Sequence, residues 1–188
     1  MTGDHHLWRK SYAYQSSARV PMLMRWPSAL LNARRGQVLT QPVELRDILP
    51  TCLEAAGAPP TMTVDGRSLL ALLRGEKWRG FIDLEHDVCY SVENHWNALT
   101  DGRWKYIFHA RDGAEQFFDL MRDPFELNDL AGDPAHGTEL RLWRGRLIEH
   151  LAERGERYVK NGRLAVRPES HLYSPNYPGC SCHPRAKS

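Results

Sequence analysis

Cysteine is scarce, with four residues in 188, and their uneven placement excludes a chain stapled by a disulfide framework. Long apolar runs are missing too: no stretch approaches the ~18 to 20 residues a helix needs to cross a bilayer. Net charge is nearly absent. Twenty-five Lys and Arg stand against 23 Asp and Glu, so no strong field steers the chain to nucleic acid or anionic lipid. No internal repeat is visible. The opening Met1-Thr2-Gly3-Asp4-His5-His6 has neither the basic nor the apolar region of a signal peptide, an absence that says little about location, which stays unknown and cytoplasmic only by default. What is present is ordinary globular composition, 41% hydrophobic and 26% charged. A chain of this length buries roughly 70% of its unfolded surface, enough for a real core.

The periodicity predicts an α+β chain. Arg19 to Pro27 is a short apolar run bracketed by prolines, which reads as a buried strand from Val20 to Trp26. Val43, Leu45, Ile48, Leu49, Cys52, Leu53 and Ala56 fall at helical spacing and stop at Gly57, with Pro50 expected to kink or split the helix. A shorter helix is expected from Ser68 to Leu73. Beyond Gly75 the pattern turns to strands. Asp101-Gly102 joins Trp96–Thr100 to Arg103–Phe108, and Asp112-Gly113 leads into Gln116–Leu120. Asp-Gly between β-prone runs is a strong hairpin signal. Phe81–His86 adds a fourth antiparallel strand. From Glu139 to Glu153, Leu140, Trp143, Leu147, Ile148 and Leu151 share one helical face, a stripe suited to covering that sheet. Trp104, Tyr106 and Phe117 read as sheet-face packing. The remainder, 155–188, reads as an extended polar tail.

Several segments, taken in order, resemble the sulfatase family of the alkaline phosphatase superfamily. These are Gly3-Asp4-His5-His6-Leu7-Trp8-Arg9-Lys10, Tyr12, Tyr14, Ser17-Ala18-Arg19-Val20-Pro21, Leu45-Arg46-Asp47-Ile48-Leu49-Pro50-Thr51 and Asp65-Gly66-Arg67-Ser68-Leu69. Asp101-Gly102-Arg103-Trp104-Lys105-Tyr106-Ile107, Phe118-Asp119-Leu120 and Asp123-Pro124 continue the series. Each is weak alone; the ordered set is specific, and the likeness runs to about Pro134. It is nearest to arylsulfatases, choline sulfatases and phosphonate monoester hydrolases. The resemblance implies an α/β, alkaline phosphatase-like enzyme. Residues 1–76 would close its catalytic domain, and 77–154 would form a small C-terminal subdomain of antiparallel sheet and helix.

The resemblance also implies a sulfuric ester hydrolase with a divalent cation, calcium or magnesium, and a formylglycine made from Cys or Ser in Cys/Ser-x-Pro-x-Arg. Neither that signature nor the metal-binding Asp pairs occurs in this sequence, so no metal ligand is expected in it and the chain is expected to begin inside a longer enzyme. Lys10 is the catalytic candidate, because the resembled lysine contacts the sulfate, and a fixed ammonium stabilises charge building on ester oxygens. His5 is a loop-stabilising or substrate-side residue. His86 and the stretch Glu93-Asn94-His95-Trp96-Asn97 supply candidates to grip a leaving group, a His with a Trp, and read equally as ordinary residues at a sheet edge. Arg19 is expected to pair with a carboxylate, although Gln15 stands where many relatives place Glu. Cys182-His183-Pro184-Arg185 lacks the residue between Pro and Arg and is read as a decoy. A zinc site from Cys180, Cys182 and His183 would want a fourth ligand. Expected partners are a sulfate-ester small molecule or sulfated glycan, with no nucleic acid, no membrane and a homo-oligomer as an open alternative. Three other readings stand beside the sulfatase: a non-catalytic ligand-binding module, a truncated remnant, and a phosphonate or phosphodiester hydrolase.

Overall fold

A computed structural model describes residues 1–58, 60–87 and 94–168. The chain forms two compact units: Met1–Arg19, Asp83–Leu99 and 104 onward make one, and Val20–Ile82 with Thr100–Arg103 make the other.

The first unit is built on a four-stranded antiparallel sheet in the order β1-β2-β3-β4. The strands are β1 Ile82–His86, β2 Trp96–Thr100, β3 Trp104–His109 and β4 Glu115–Asp119. Both Asp-Gly turns are where the sequence places them. Asp101 Oδ1 accepts from Arg103 N at 2.8 Å, and Asp112 Oδ1 accepts from Ala114 N at 2.9 Å, the local bonding that favours Asp in turns. In the β3–β4 register Tyr106 faces Phe117 and Lys105 faces Phe118. Side chains alternate across a strand, so Tyr106 and Phe117 share one face while Lys105, Ile107 and Phe118 share the other. Trp104 stacks on Phe117 with ring centroids 4.9 Å apart.

The Tyr106 face is covered by a 16-residue helix, Gly137–Ala152. Its Leu140, Trp143, Leu147 and Leu151 are buried, as the stripe requires, and Ile148 is half-buried at its margin. Full burial of such side chains stabilises by about 1.5–3 kcal/mol each. The helix is locked to β4 by Arg144, whose Nε and Nη2 donate to the two Glu115 oxygens at 2.6 and 2.5 Å. The Tyr106 hydroxyl donates to the same carboxylate. Burial pushes the Glu115 carboxyl up, but Arg144 and Tyr106 outweigh it and hold the group below its usual range. A depressed carboxylate contributes stability above its unfolded value and loses it as pH falls through the folded one. Arg144→Ala should therefore destabilise the chain at about pH 7 far more than at about pH 3. Equilibrium denaturation at both values checks this; an equal deficit at both would contradict it.

The opposite face is covered by the chain's own N-terminal segment. Ala13 packs with Trp96, Ala98, Ile107, Phe118 and Leu120, flanked by Tyr14 and Leu84. Residues 155–168 correct the expectation of an extended tail. Val159–Lys160 and Arg163–Leu164 pair as a hairpin turned on Asn161 and Gly162, both at positive φ (52° and 71°), which is the geometry Asn-Gly supplies. Beyond it Arg167 is buried, its Nη2 donating to Asn97 Oδ1 at 2.5 Å. The decoy motif and three of the cysteines, Cys89, Cys180 and Cys182, lie outside the described residues; Cys52 is free and exposed. No helix among the described residues is long and apolar enough to cross a membrane.

In the second unit a 3₁₀ turn, Leu45–Asp47, leads into a helix at Ile48–Ala55, and a short helix follows at Leu69–Leu73. Pro50 does not kink the long helical pattern. The split falls before it, so Pro50 is the third residue of the helix, in the first turn, where a missing N–H costs nothing. Ser68 caps the short helix, its Oγ accepting from Leu70 N at 3.2 Å. Asp47 is fully buried and holds the unit together: it accepts from Glu44 N at 2.9 Å, Arg67 N at 2.8 Å and Arg79 Nη2 at 2.5 Å. Gly66 is needed beside it, because a Cβ there would stand 1.9 Å from the Arg46 carbonyl oxygen. The expected strand Val20–Trp26 is not one. No strand pairs with it among the described residues, and Val20 and Leu23 stay 52% and 90% exposed. Apolar composition alone cannot make a strand; a ladder needs a partner.

Candidate functional site

Lys10 sits at the end of a tightly turned loop. Thr2 bridges Trp8 in antiparallel fashion. Gly3 N donates to Leu7 O at 3.1 Å and Arg9 N to Met1 O at 3.1 Å, enclosing a 3₁₀ turn at Asp4–His6. Four non-glycine residues here hold left-handed backbone: His5 (φ 53°), His6 (59°), Arg9 (79°) and Ser11 (90°). Such conformations cost of order 1–3 kcal/mol each and persist only where the surroundings over-determine them.

The surroundings do so from the sheet. Trp96 Nε1 donates to Ser11 O at 2.9 Å and to Asn94 Oδ1 at 3.0 Å. Tyr12 N donates to Ser17 Oγ at 3.3 Å. The His5 ring stacks on Tyr14, centroids 3.9 Å apart and nearly parallel, and Gln116 Nε2 donates to the Tyr14 hydroxyl at 3.2 Å. Lys105, fully buried in the middle of β3, donates from Nζ to Ala13 O at 2.7 Å and Gln15 Oε1 at 3.1 Å. Its counterion is Glu126, 2.6 Å away and equally buried, whose Oε2 accepts from Gln15 N at 2.5 Å. Burial pushes the Lys105 ammonium down from its ordinary value, and Glu126 opposes that shift.

The result is an exposed Lys10 with no hydrogen-bond or ion-pair partner among the described residues, on the edge of a cleft of about 540 Å³. Ser11, Tyr12, Ser17, Glu85, His86 and Trp96 line the same cleft, the Glu85 carboxylate being paired with Arg154. His86 Nδ1 lies 2.7 Å from Asn94 O; a carbonyl only accepts, so Nδ1 carries a proton. The His86 ring stacks on Trp96 at 6.0 Å. An unpaired ammonium, an imidazole and an indole around one opening suit a ligand with an anionic group and a polar or aromatic remainder.

The structure separates His95 from this cleft. His95 is 4% exposed, its Nε2 3.4 Å from Arg167 Nη2 and 3.8 Å from Asp87 Oδ1. Burial, then Arg167, pushes its pKa down. Arg19 is exposed and makes no ion pair among the described residues; Glu126 takes Gln15 instead. Lys105 and Glu126 were not singled out from sequence. The available signal was a lysine inside an apolar strand, Trp104-Lys105-Tyr106-Ile107-Phe108, since a fully buried lysine needs a partner.

A divalent cation does not fit these residues. Among the described residues no three His, Cys, Asp or Glu side chains converge on a point that could hold a metal, so no chemistry of this chain is routed through one. Cys52, in Pro50-Thr51-Cys52-Leu53-Glu54, does not stand in the formylglycine signature either.

Comparison with known proteins places the chain in a family. The chain is 36% identical to an arylsulfatase of Clostridium perfringens across 87% of its own length and 34% of that enzyme's. It is 34% identical to a choline-sulfatase of Rhizobium meliloti over 71% of this chain and 25% of that protein. It therefore spans about a third of the curated relatives or less. A sulfatase structure from Bacteroides thetaiotaomicron matches 57% of the chain and 24% of its own at TM-score 0.50 and 28% identity. The phosphonate monoester hydrolase of Silicibacter pomeroyi matches 64% and 27% at TM-score 0.52 and 27% identity. The family model for N-sulphoglucosamine sulphohydrolase, C-terminal, covers residues 3–153, and the chain belongs to that family of sulfatase C-terminal portions.

Proposed function

We propose that the chain is the C-terminal portion of a hydrolase that cleaves sulfate esters, and that it contributes Lys10 and the cleft beside it to the substrate site. The observation that carries this reading is the unpaired ammonium of Lys10, held on strained backbone at the cleft edge. In the reaction the sulfur–oxygen bond to the alcohol or phenol breaks and negative charge grows on the departing oxygen. Lys10, already facing the sulfate oxygens, stabilises that charge without reorganising, which is what makes a fixed donor effective. His86 and Trp96 face the rest of the molecule, the indole offering a stacking surface and the imidazole a hydrogen bond. The nucleophile and the cation that the family resemblance implies belong, on this reading, to the longer enzyme.

The full-length enzyme, meaning this chain carried behind the N-terminal portion that its relatives possess, should hydrolyse an activated aryl sulfate, and the 188-residue polypeptide alone should not. Metal-dependent turnover by the short polypeptide, lost on Lys10→Ala, would place the whole active site within it. The likeness to the Silicibacter pomeroyi enzyme supports a second substrate class. Turnover of a phosphonate monoester in preference to the aryl sulfate would decide for that class.

A further inference from the structure

We propose that Lys105 and Glu126 are positioning residues for Lys10: the pair clamps the main chain at Ala13 and Gln15, and so fixes where the Lys10 ammonium stands over the cleft. The proposal rests on Lys10 being the group that meets the sulfate.

The two side chains come from different elements, β3 and the loop after β4, and meet on the sheet face that the N-terminal segment covers. Each grips backbone. Lys105 donates to the Ala13 carbonyl, and Glu126 accepts from the Gln15 amide. The Gln15 side chain closes the ring by accepting from Lys105. Residues 13 and 15 are thereby held from a carbonyl on one side and an N–H on the other, which leaves the intervening peptide little freedom to rotate. Three residues upstream is Lys10, with only Ser11 and Tyr12 between, and the Ser11 carbonyl is itself held by Trp96. A displacement of the clamped segment is transmitted directly to the ammonium.

Stability alone is a poor reason to keep this pair. Lys105 and Glu126 have 0% and 1% of their side-chain surface exposed, and a buried ion pair can often be replaced by apolar residues of similar volume without loss of stability. Ala98, Ile107 and Phe118 already provide an apolar face next to it. Glu126 also holds left-handed backbone, φ 57°, a strained conformation for a residue with a Cβ. A costly charge on strained backbone, aimed at two main-chain atoms of the functional loop, is the arrangement expected of a positioning device.

The test is a cycle in the full-length enzyme. Lys105→Met/Glu126→Leu should lower the unfolding midpoint only by what the stranded Ala13 carbonyl and Gln15 N–H cost, and lower kcat roughly 10- to 100-fold, the scale of a misplacement near 1 Å, with KM moving less. In a Lys10→Ala background the same double substitution should cost less than about threefold, because the group it orients is gone. An equal loss in both backgrounds overturns the proposal, since a purely structural role does not depend on Lys10. Where the apolar pair fails to fold, Glu126→Gln keeps the side-chain shape and an acceptor for Gln15 while removing the charge. It should show the same dependence on Lys10, and an additive loss overturns the proposal equally. Amide hydrogen exchange separates this inference from the reading it rests on. Exchange at residues 11–15 should quicken by roughly tenfold or more in the clamp variants, and unchanged exchange sinks the clamp even if Lys10 proves essential. A loss below about threefold on Lys10→Ala alone overturns the functional reading, whatever the exchange shows.

Discussion

Lys10→Ala in the full-length enzyme should lower kcat/KM for an aryl sulfate by roughly 10²- to 10³-fold, the loss that follows removal of one preorganised charge-stabilising donor. Three features set the size. The ammonium is not already neutralised, since no carboxylate pairs with it among the described residues. The backbone on either side of it is held, by Met1 at Arg9 before it and by Trp96 at Ser11 and Lys105 and Glu126 at residues 13 and 15 after it. Lys10 borders a cleft of about 540 Å³. The loss should fall on kcat as well as KM, because charge on the leaving oxygen is larger in the transition state than in the bound ester. Lys10→Arg keeps the charge but spreads it over a planar fork, so partial activity is expected. Steady-state kinetics over a series of leaving groups adds a sharper check. The defect should shrink as the leaving phenol becomes more acidic, since a better leaving group needs less help. A loss below about threefold, flat across the series, would make Lys10 an ordinary surface lysine.

Much of this architecture could be read from residue order. The Asp-Gly turns placed β2, β3 and β4, and the Leu140, Trp143, Leu147 and Leu151 stripe placed the long helix on the sheet. These signals are local: a turn needs its own four residues and a stripe its own helix. The misses share the opposite character. Val20–Trp26 has strand composition, but pairing depends on a neighbour elsewhere. Lys105 looks like a solvent-facing residue of an alternating strand until Glu126, 21 positions later, is brought against it. Composition does not tell His95 from His86, and only the fold shows that His86 opens on the cleft while His95 meets Arg167. The hairpin at Asn161-Gly162 is the exception, a local signal that the Pro-rich composition around it obscured. In the candidate site, Lys10 was legible through resemblance alone, and of what holds it only Lys105 left a trace, as a lysine inside an apolar strand.

Asp47→Ala should be the most damaging single substitution in the second unit, costing about 3–5 kcal/mol as expected for removing one partner of a buried, hydrogen-bonded ion pair. Its carboxylate is wholly enclosed and joins three parts of the chain. Oδ2 accepts from Glu44 N, closing the capping box that starts the 3₁₀ turn. Oδ1 accepts from Arg67 N across twenty residues, and both oxygens meet Arg79. Removal strands two main-chain donors and leaves Arg79, 15% exposed, with Glu44 at 2.5 Å as its remaining carboxylate. The Asp47 carbonyl holds Thr51 Oγ1, which in turn accepts from Leu69 N, so the disturbance should spread to both helices of the unit. Asp47→Asn keeps the shape and one acceptor, and about half the loss is expected because hydrogen bonds to an uncharged acceptor are roughly half as strong. These residues lie in Leu45-Arg46-Asp47 and Asp65-Gly66-Arg67, two of the segments that carried the family resemblance. The prediction therefore assigns them to folding rather than to chemistry. Hydrogen exchange should show protection lost at residues 44–56 and 67–73 in Asp47→Ala, with β3 and β4 retaining theirs. Protection retained in those helices, with equilibrium unfolding within about 1 kcal/mol of the parent, would mean that Arg79 and Glu44 hold the unit without Asp47.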